Sequence, residues 1–360
     1  MYKSIDKWLP PLLFKNKSKI VNLKISVFIS VCDHFEPFHQ TNGDRMLAVE
    51  KMKAWIQRFP DVQKESFDSI GRMPRHTFFY PIEQYDNEIV DLLEKLCRNG
   101  AGEVEVHLHH NDDTFDSLVE KLLIGKDKLA GHGLLPVDNN SQVRYGFIHG
   151  NWAITNSHPS GKYCGVENEI SALLKTGCYA DFTMPSVPDP CQSRIINSIY
   201  FAEDQQPSRS HDFGECAKVG TRINSNKLLF IQGVINLNWK KRKYGVLPRI
   251  ENSDLTLNNP PNIDRFNIWK NAHIHVHDKP EWVFIKLHTH GCNPRNIEMH
   301  LGGLLQGFYS DLTSYCHKVE ELDLYFVTAR EMANLILAAV NGVGSTPQDC
   351  MDYAYKSLVS

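Results

Sequence analysis

At 360 residues the chain is long enough for one large α/β domain or two smaller ones with a sizeable buried core. Apolar residues make up 42%, charged residues 22%, and the net charge is -3, which excludes a general electrostatic attraction to nucleic acid or to an anionic membrane. No apolar run reaches the roughly 18 residues of a membrane span, and the patch from Trp8 to Phe14, broken by two prolines, lacks the form of a signal peptide. Nine scattered cysteines without a CxxC pair read as free thiols in a reducing compartment, so a cytoplasmic location is expected.

After an N-terminal extension over 1–23, KISVFISV (Lys24 to Val31) is a β-branched run of strand length that delivers Asp33, His34 and Glu36 at its end. Helical spacing follows from Arg45 to Phe59, with Pro60 expected to end it. HTFFY (His76 to Tyr80) is a second strand, and Asn87 to Cys97 a second helix stopping at Asn99-Gly100. GEVEVHLHHNDDT, from Gly102 to Thr114, reads as a buried strand that ends abruptly in His107, His109 and His110. A sheet needing only stability would place Val or Ile there, whereas imidazoles crowded at a strand end hold divalent metals.

A helix from Phe115 to Leu123 precedes a Gly-rich loop, and a fourth strand near Val143 to Ile148 ends in His149-Gly150-Asn151-Trp152. Glu167 to Leu174 is helical, Tyr179 to Thr183 a fifth strand, and Leu228 to Leu237 a further one. Lys240 to Pro261 reads as an inserted loop or hairpin, and Arg265 to Ala272 as a helix. NAHIHVHD, with His273, His275 and His277, reads as an edge strand or loop. EWVFIKL then ends in His288-Thr289-His290-Gly291. Ile297 to Gly307 and Leu312 to Val319 are helical candidates, followed by a last strand, Leu322 to Val327, a closing helix, Ala329 to Val340, and a C-terminal tail over 341–360. Alternating strands and helices argue for parallel βαβ units, whose functional groups gather at the carboxyl ends of the strands. The Asp/His clusters fall at those ends.

Five places, in this order, resemble the polysaccharide deacetylase family (NodB-type), and more closely its sugar-locus subgroup. They are ISVCDHF with HTFFYPIEQY, EVEVHLHH, FIHGNWAI with LLKTGCYADFTMPS, VFIKLHTHG, and LYFVTAREM. The resemblance implies an irregular (β/α)7 barrel over 24–340, a divalent metal, zinc by expectation, and removal of an N-acyl group from an amino sugar or glycan. The alternatives are an altered barrel that binds carbohydrate as a scaffold, or hydrolysis of another C–N amide. It also implies His34 and His107 as metal ligands, with the second histidine place falling to His109, His110 or Asn111. Strand alternation favours His109 on the side of His107. The family's Asp pair falls on Cys32-Asp33 or Asp33-His34, and its arginine on His149 or Asn151. Asp33 is then the expected proton acceptor and His290 the proton donor, with His288 beside it. Asn151, Trp152, Tyr179 and Asp181 are the expected substrate wall, with His288 also on the substrate side, and the bland reading of its aromatics is ordinary core packing. The cysteines read as buried small hydrophobes, and the oligomeric state is not legible.

Overall fold

The computed structural model describes residues 2–14, 23–205 and 208–359. In chain order its elements are α1 (Ile5–Phe14), β1 (Ile25–His34), α2 (Arg45–Gln63), β2 (His76–Pro81), α3 (Asn87–Leu96), β3 (Gly102–Leu108), α4 (Phe115–Gly131), β4 (Val137–Asp138), β5 (Tyr145–His149), α5 (Glu169–Thr176), β6 (Cys178–Asp181), β7 (Ile199–Ala202), β8 (Glu215–Cys216) and β9 (Leu228–Ile231). The hairpin β10 (Asn236–Lys243) and β11 (Leu247–Glu251) follows. After it come β12 (Asp254–Leu255), α6 (Ile263–Ala272), β13 (Trp282–Thr289), α7 (Ile297–Leu301), α8 (Leu304–His317), β14 (Leu322–Phe326), α9 (Ala329–Val340), α10 (Pro347–Cys350) and β15 (Tyr355–Lys356). No helix among the described residues is long and apolar enough to cross a membrane.

One large, mostly parallel sheet organises the chain in the order β12-β13-β1-β2-β3-β5-β6-β9-β7-β8. β1 has three strand neighbours in it. Parallel β13 flanks it along one edge, while β14 and then β2 share the other, β14 against Ile25 to Ile29 and β2 against Val31 to His34. Burial on both faces explains why β1 is an apolar run rather than an alternating one. Several helices that pack on the strands have capped starts, as in α9, where Thr328 just ahead of it and Glu331 in its first turn each bond the other residue's backbone.

The expected closed barrel is not completed by strand pairing among the described residues. β9 takes the antiparallel β7 as its second neighbour, and the outer edge of β13 is occupied by β12 and by the bond from Phe284 N to Ile274 O. Those two edges nevertheless approach each other. Lys286 Nζ donates to Met184 O at 3.0 Å, and a Cβ at Gly233 would lie 2.7 Å from Lys286 O.

Several boundaries differ from those expected. α2 runs through Pro60 to Gln63, because the proline falls in the last turn and the extra turn lets Gln63 donate to Pro74 O and Gly100 O at 2.7 and 3.0 Å. α4 continues through Gly125 where a Gly-rich loop was expected. That glycine is required by contact, since a Cβ there would sit 2.5 Å from the Ile82 side chain. The run Leu228 to Leu237 divides into β9 and the start of β10, and the region after it is a hairpin. Residues 341–359 fold back rather than trail: β15 pairs with β4, and Asn334 Nδ2 donates to Met351 O and Tyr355 O. At the other end, α1 buries Trp8 against Val187, Ile196 and Ile235.

Candidate metal centre

β1, β3 and β13 bring their carboxyl ends to one place, and Glu36 stands in the middle of it. Its Oε1 lies 3.4 Å from His107 Nε2 and 3.0 Å from His109 Nε2; its Oε2 lies 3.5 Å from His290 Nδ1 and 3.6 Å from His39 Nδ1. The ring of His34 completes the group, 4.8 Å from that of His107 and 4.5 Å from that of His290, centroid to centroid. Glu36, His107 and His109 each offer a donor atom within 4.8 Å of the others, a spacing that can hold a metal ion.

Hydrogen bonds on the far side of each ring decide what faces Glu36. The carbonyl of Ile148 only accepts, so His107 Nδ1, 3.1 Å away, carries a proton. The Nε2 atom facing Glu36 then either donates to the carboxylate, as an imidazolium, or in the neutral ring offers its lone pair to a cation held between the two. Backbone bonds of this kind fix the tautomer of metal-ligating histidines, and Glu83 Oε1, 2.6 Å from His109 Nδ1, stands where a carboxylate partner would.

Burial and charge push the titrations apart. Burial acts to raise the Glu36 carboxyl, but hydrogen bonds from His107, His109 and His290 outweigh it and hold the group far below the usual carboxylate range. Burial acts to lower His109, yet Glu36 and Glu83 push it up to about 9. His290 is raised in the same way, against burial, by Glu36. His34 goes the other way: burial, then the nearby His290 and His107, drive it well below the ordinary imidazole value, and its Nδ1 has no hydrogen-bond partner.

Not every expected residue joins this group. Asp33 is fully buried, accepts from Gly291 N at 2.6 Å and lies 3.3 Å from His76 Nε2, so its carboxylate holds the end of β13 to β1 and gives no support to a role as proton acceptor. Gly291 is there because a Cβ would meet Asp33 Oδ2 at 2.1 Å. His110 turns away from His107 into a separate buried group with His149 and Glu169. His288 is buried, with its Nδ1 unpartnered. The expected substrate wall is divided. Asp181 is 1% exposed and engaged by Thr183 N and Oγ1 at 3.1 and 2.6 Å. Asn151 N donates to His149 Nδ1, and Trp152, half-buried with a φ of 58°, packs against the core. Tyr179 is core, its hydroxyl donating to Glu105. The His273 to His277 stretch is loop, with His273 Nε2 donating to Pro280 O.

Three residues central to these groups were not singled out by motif. Glu36 was legible only as the third residue after Asp33, beyond the strand whose alternation could have aimed it. Glu169 resembled any acidic residue in a first helical turn, and Cys164 any buried thiol.

No family model matches the chain, and no curated protein does. A solved structure, that of 4-alpha-glucanotransferase from Thermococcus litoralis, aligns with 84% of this chain at 13% identity and a TM-score of 0.40. The chain spans 39% of that protein's length.

Proposed function

We propose that this chain is a metal-dependent hydrolase of the polysaccharide deacetylase kind, folded as an irregular (β/α)7 barrel whose seam is filled by loops, and that it removes an N-acyl group from an amino sugar or glycan. The observation that carries the reading is the convergence of His107 Nε2 and His109 Nε2 on Glu36 Oε1, at 3.4 and 3.0 Å, with all three donor atoms within 4.8 Å of one another. Glu36, His107 and His109 would hold the ion. A divalent metal such as zinc supplies carbonyl polarisation and a more acidic water.

The remaining work falls to two histidines whose environments differ. His34, kept neutral by burial and with an unpartnered Nδ1, takes a proton as water adds to the acyl carbon. His290, its imidazole raised above the ordinary value by Glu36 against burial, gives a proton to the departing amine nitrogen as the C–N bond breaks. The products are a carboxylate and an amino sugar. Partial exposure of the His109 and His290 side chains, 29% each, leaves this group open to a substrate.

One observation favours a second reading. His109 lies between two carboxylates, Glu36 and Glu83, and as an imidazolium would complete a metal-free ion cluster in a carbohydrate-binding barrel. Incubation of zinc-reconstituted protein with N-acetylated amino-sugar oligomers separates the two. Release of acetate together with new primary amine, lost in Glu36→Ala, is expected. Zinc-loaded protein that releases neither from any such oligomer would overturn the hydrolase reading.

A further inference from the structure

We infer that His110, His149, Cys164 and Glu169 form a second metal site, structural rather than catalytic, which takes zinc. All four are buried, at 4%, 0%, 0% and 0% exposure, and their donor atoms lie within 4.8 Å of one another. Two imidazoles, a thiol and a carboxylate make a four-donor set of the kind that closes around zinc with no position left for water. The site goes beyond the proposed hydrolase centre and shares none of its ligands.

The contacts are those of ligands in want of an ion. Glu169 Oε1 lies 3.3 Å from His110 Nε2 and 3.8 Å from His149 Nε2, while its Oε2 accepts from Thr155 N at 2.6 Å and from Cys164 Sγ at 3.3 Å. His149 Nε2 is fully buried and has no hydrogen-bond partner. His110 Nε2 makes a long hydrogen bond of 3.3 Å to Glu169 Oε1 while its buried Nδ1, 3.1 Å from Asp113 Oδ2, has no hydrogen-bond partner; ligation by Nε2 places the ring's proton on Nδ1, where Asp113 faces it. Ligation by His149 Nε2 moves that ring's proton to Nδ1 and gives up the contact from Asn151 N, a long bond of 3.3 Å.

Charge favours the same occupant. A divalent ion with one thiolate, one carboxylate and two neutral imidazoles sums to zero, so the filled site buries no net charge. Binding releases the thiol proton of Cys164 to solvent. The loops that carry the ligands are already tied together: Asp113 N donates to Cys164 O at 3.0 Å and Tyr163 N to Asn111 Oδ1 at 2.6 Å. Gly165 permits this approach, since a Cβ there would meet Asp113 backbone atoms at 2.8 Å. An ion here pins the turn after β3 to the turn after β5. Next to it, Gly150 is packed so tightly on His109 that a Cβ would sit 2.3 Å from the ring.

Sulfur makes the test specific, because the Glu36 centre has none. Full-length protein is stripped with a chelator, reloaded with Co(II), and read by metal content and near-ultraviolet absorption. About two cobalt ions per chain and a thiolate-to-cobalt charge-transfer band are expected. His107→Ala should lose about one ion and keep the band; Cys164→Ser should lose about one ion and the band. Cobalt-loaded wild type without the band, or a band that survives Cys164→Ser, overturns the second site. Should Cys164→Ser fail to fold, the wild-type and His107→Ala spectra decide, a band in both supporting the site and its absence overturning it. Failure of the hydrolase centre gives a different result, a cobalt content that His107→Ala does not change.

Discussion

His109 and His110 are neighbours at the end of β3 and part company in space. His109 turns to Glu36, where three of the four histidine rings nearest its carboxylate are partly exposed; His110 turns to Glu169, in a group that solvent does not reach. The donor chemistry is nearly the same on both sides. What differs is access, and access is what separates the hydrolase centre proposed at Glu36 from the structural site proposed at Glu169. A single residue step past the strand is enough to send the two histidines into different groups.

The contrast is sharpest under substitution of the two carboxylates. Glu36→Ala should reduce acetate release on the order of 10³-fold, about 4 kcal/mol of transition-state stabilisation, a larger loss than the fall in denaturant midpoint that follows when His107, His109 and His290 lose their shared carboxylate. Steady-state assays beside urea unfolding check both halves. Glu169→Ala should do the reverse and lower the stability of metal-loaded protein by about 3–4 kcal/mol, because His110, His149 and Thr155 N lose their common partner. After chelation the deficit should shrink. Equal deficits in loaded and stripped protein would mean that Glu169 serves packing alone.

Lys286, on β13 four residues before His290, is a buried cation that belongs to neither group. Burial pulls it from 10.5 down to about 8, against the opposing pull of Cys32 and Asp181. Between those values the unfolded chain holds the proton that the folded chain has released. Stability therefore rises with pH across that window, by about 3 kcal/mol, and is lost again as pH falls through the folded value. The wild-type minus Lys286→Met difference in unfolding free energy should climb from pH 7.5 to 10, since the opposing titration of His109 is common to both proteins; parallel curves would exclude the lysine as a source of pH dependence. The smallest effect belongs to Glu83, behind His109. Glu83→Gln should weaken metal binding at the open centre about tenfold, roughly 1.4 kcal/mol, and leave the sulfur-bearing centre unchanged, as competition with a chromophoric chelator would show.

Local chemistry made much of this arrangement readable in the chain itself. The apolar run of β1 and the alternation of β3 put His34 and His107 at strand ends, and βαβ logic put those ends on one side of the sheet. Longer-range geometry was not readable. Pattern could not show that Asp33 would be taken by Gly291 N and His76, that Glu36 would fold back over the strand end, or that Cys164 would be stitched to the turn after His110. Each depends on a contact between segments far apart in sequence. The seam of the sheet was hidden for the same reason, since β7 and the segment around Ile274 occupy edges that a closed barrel would have paired.

The most direct test is an anomalous-difference map, collected at the zinc edge, from crystals grown with zinc. Two peaks are predicted: one among Glu36, His107 and His109, with His34 and His290 beside it, and one among His110, His149, Cys164 and Glu169. A map with no peak at Glu36 would contradict the central claim, that the open histidine cluster is a metal centre.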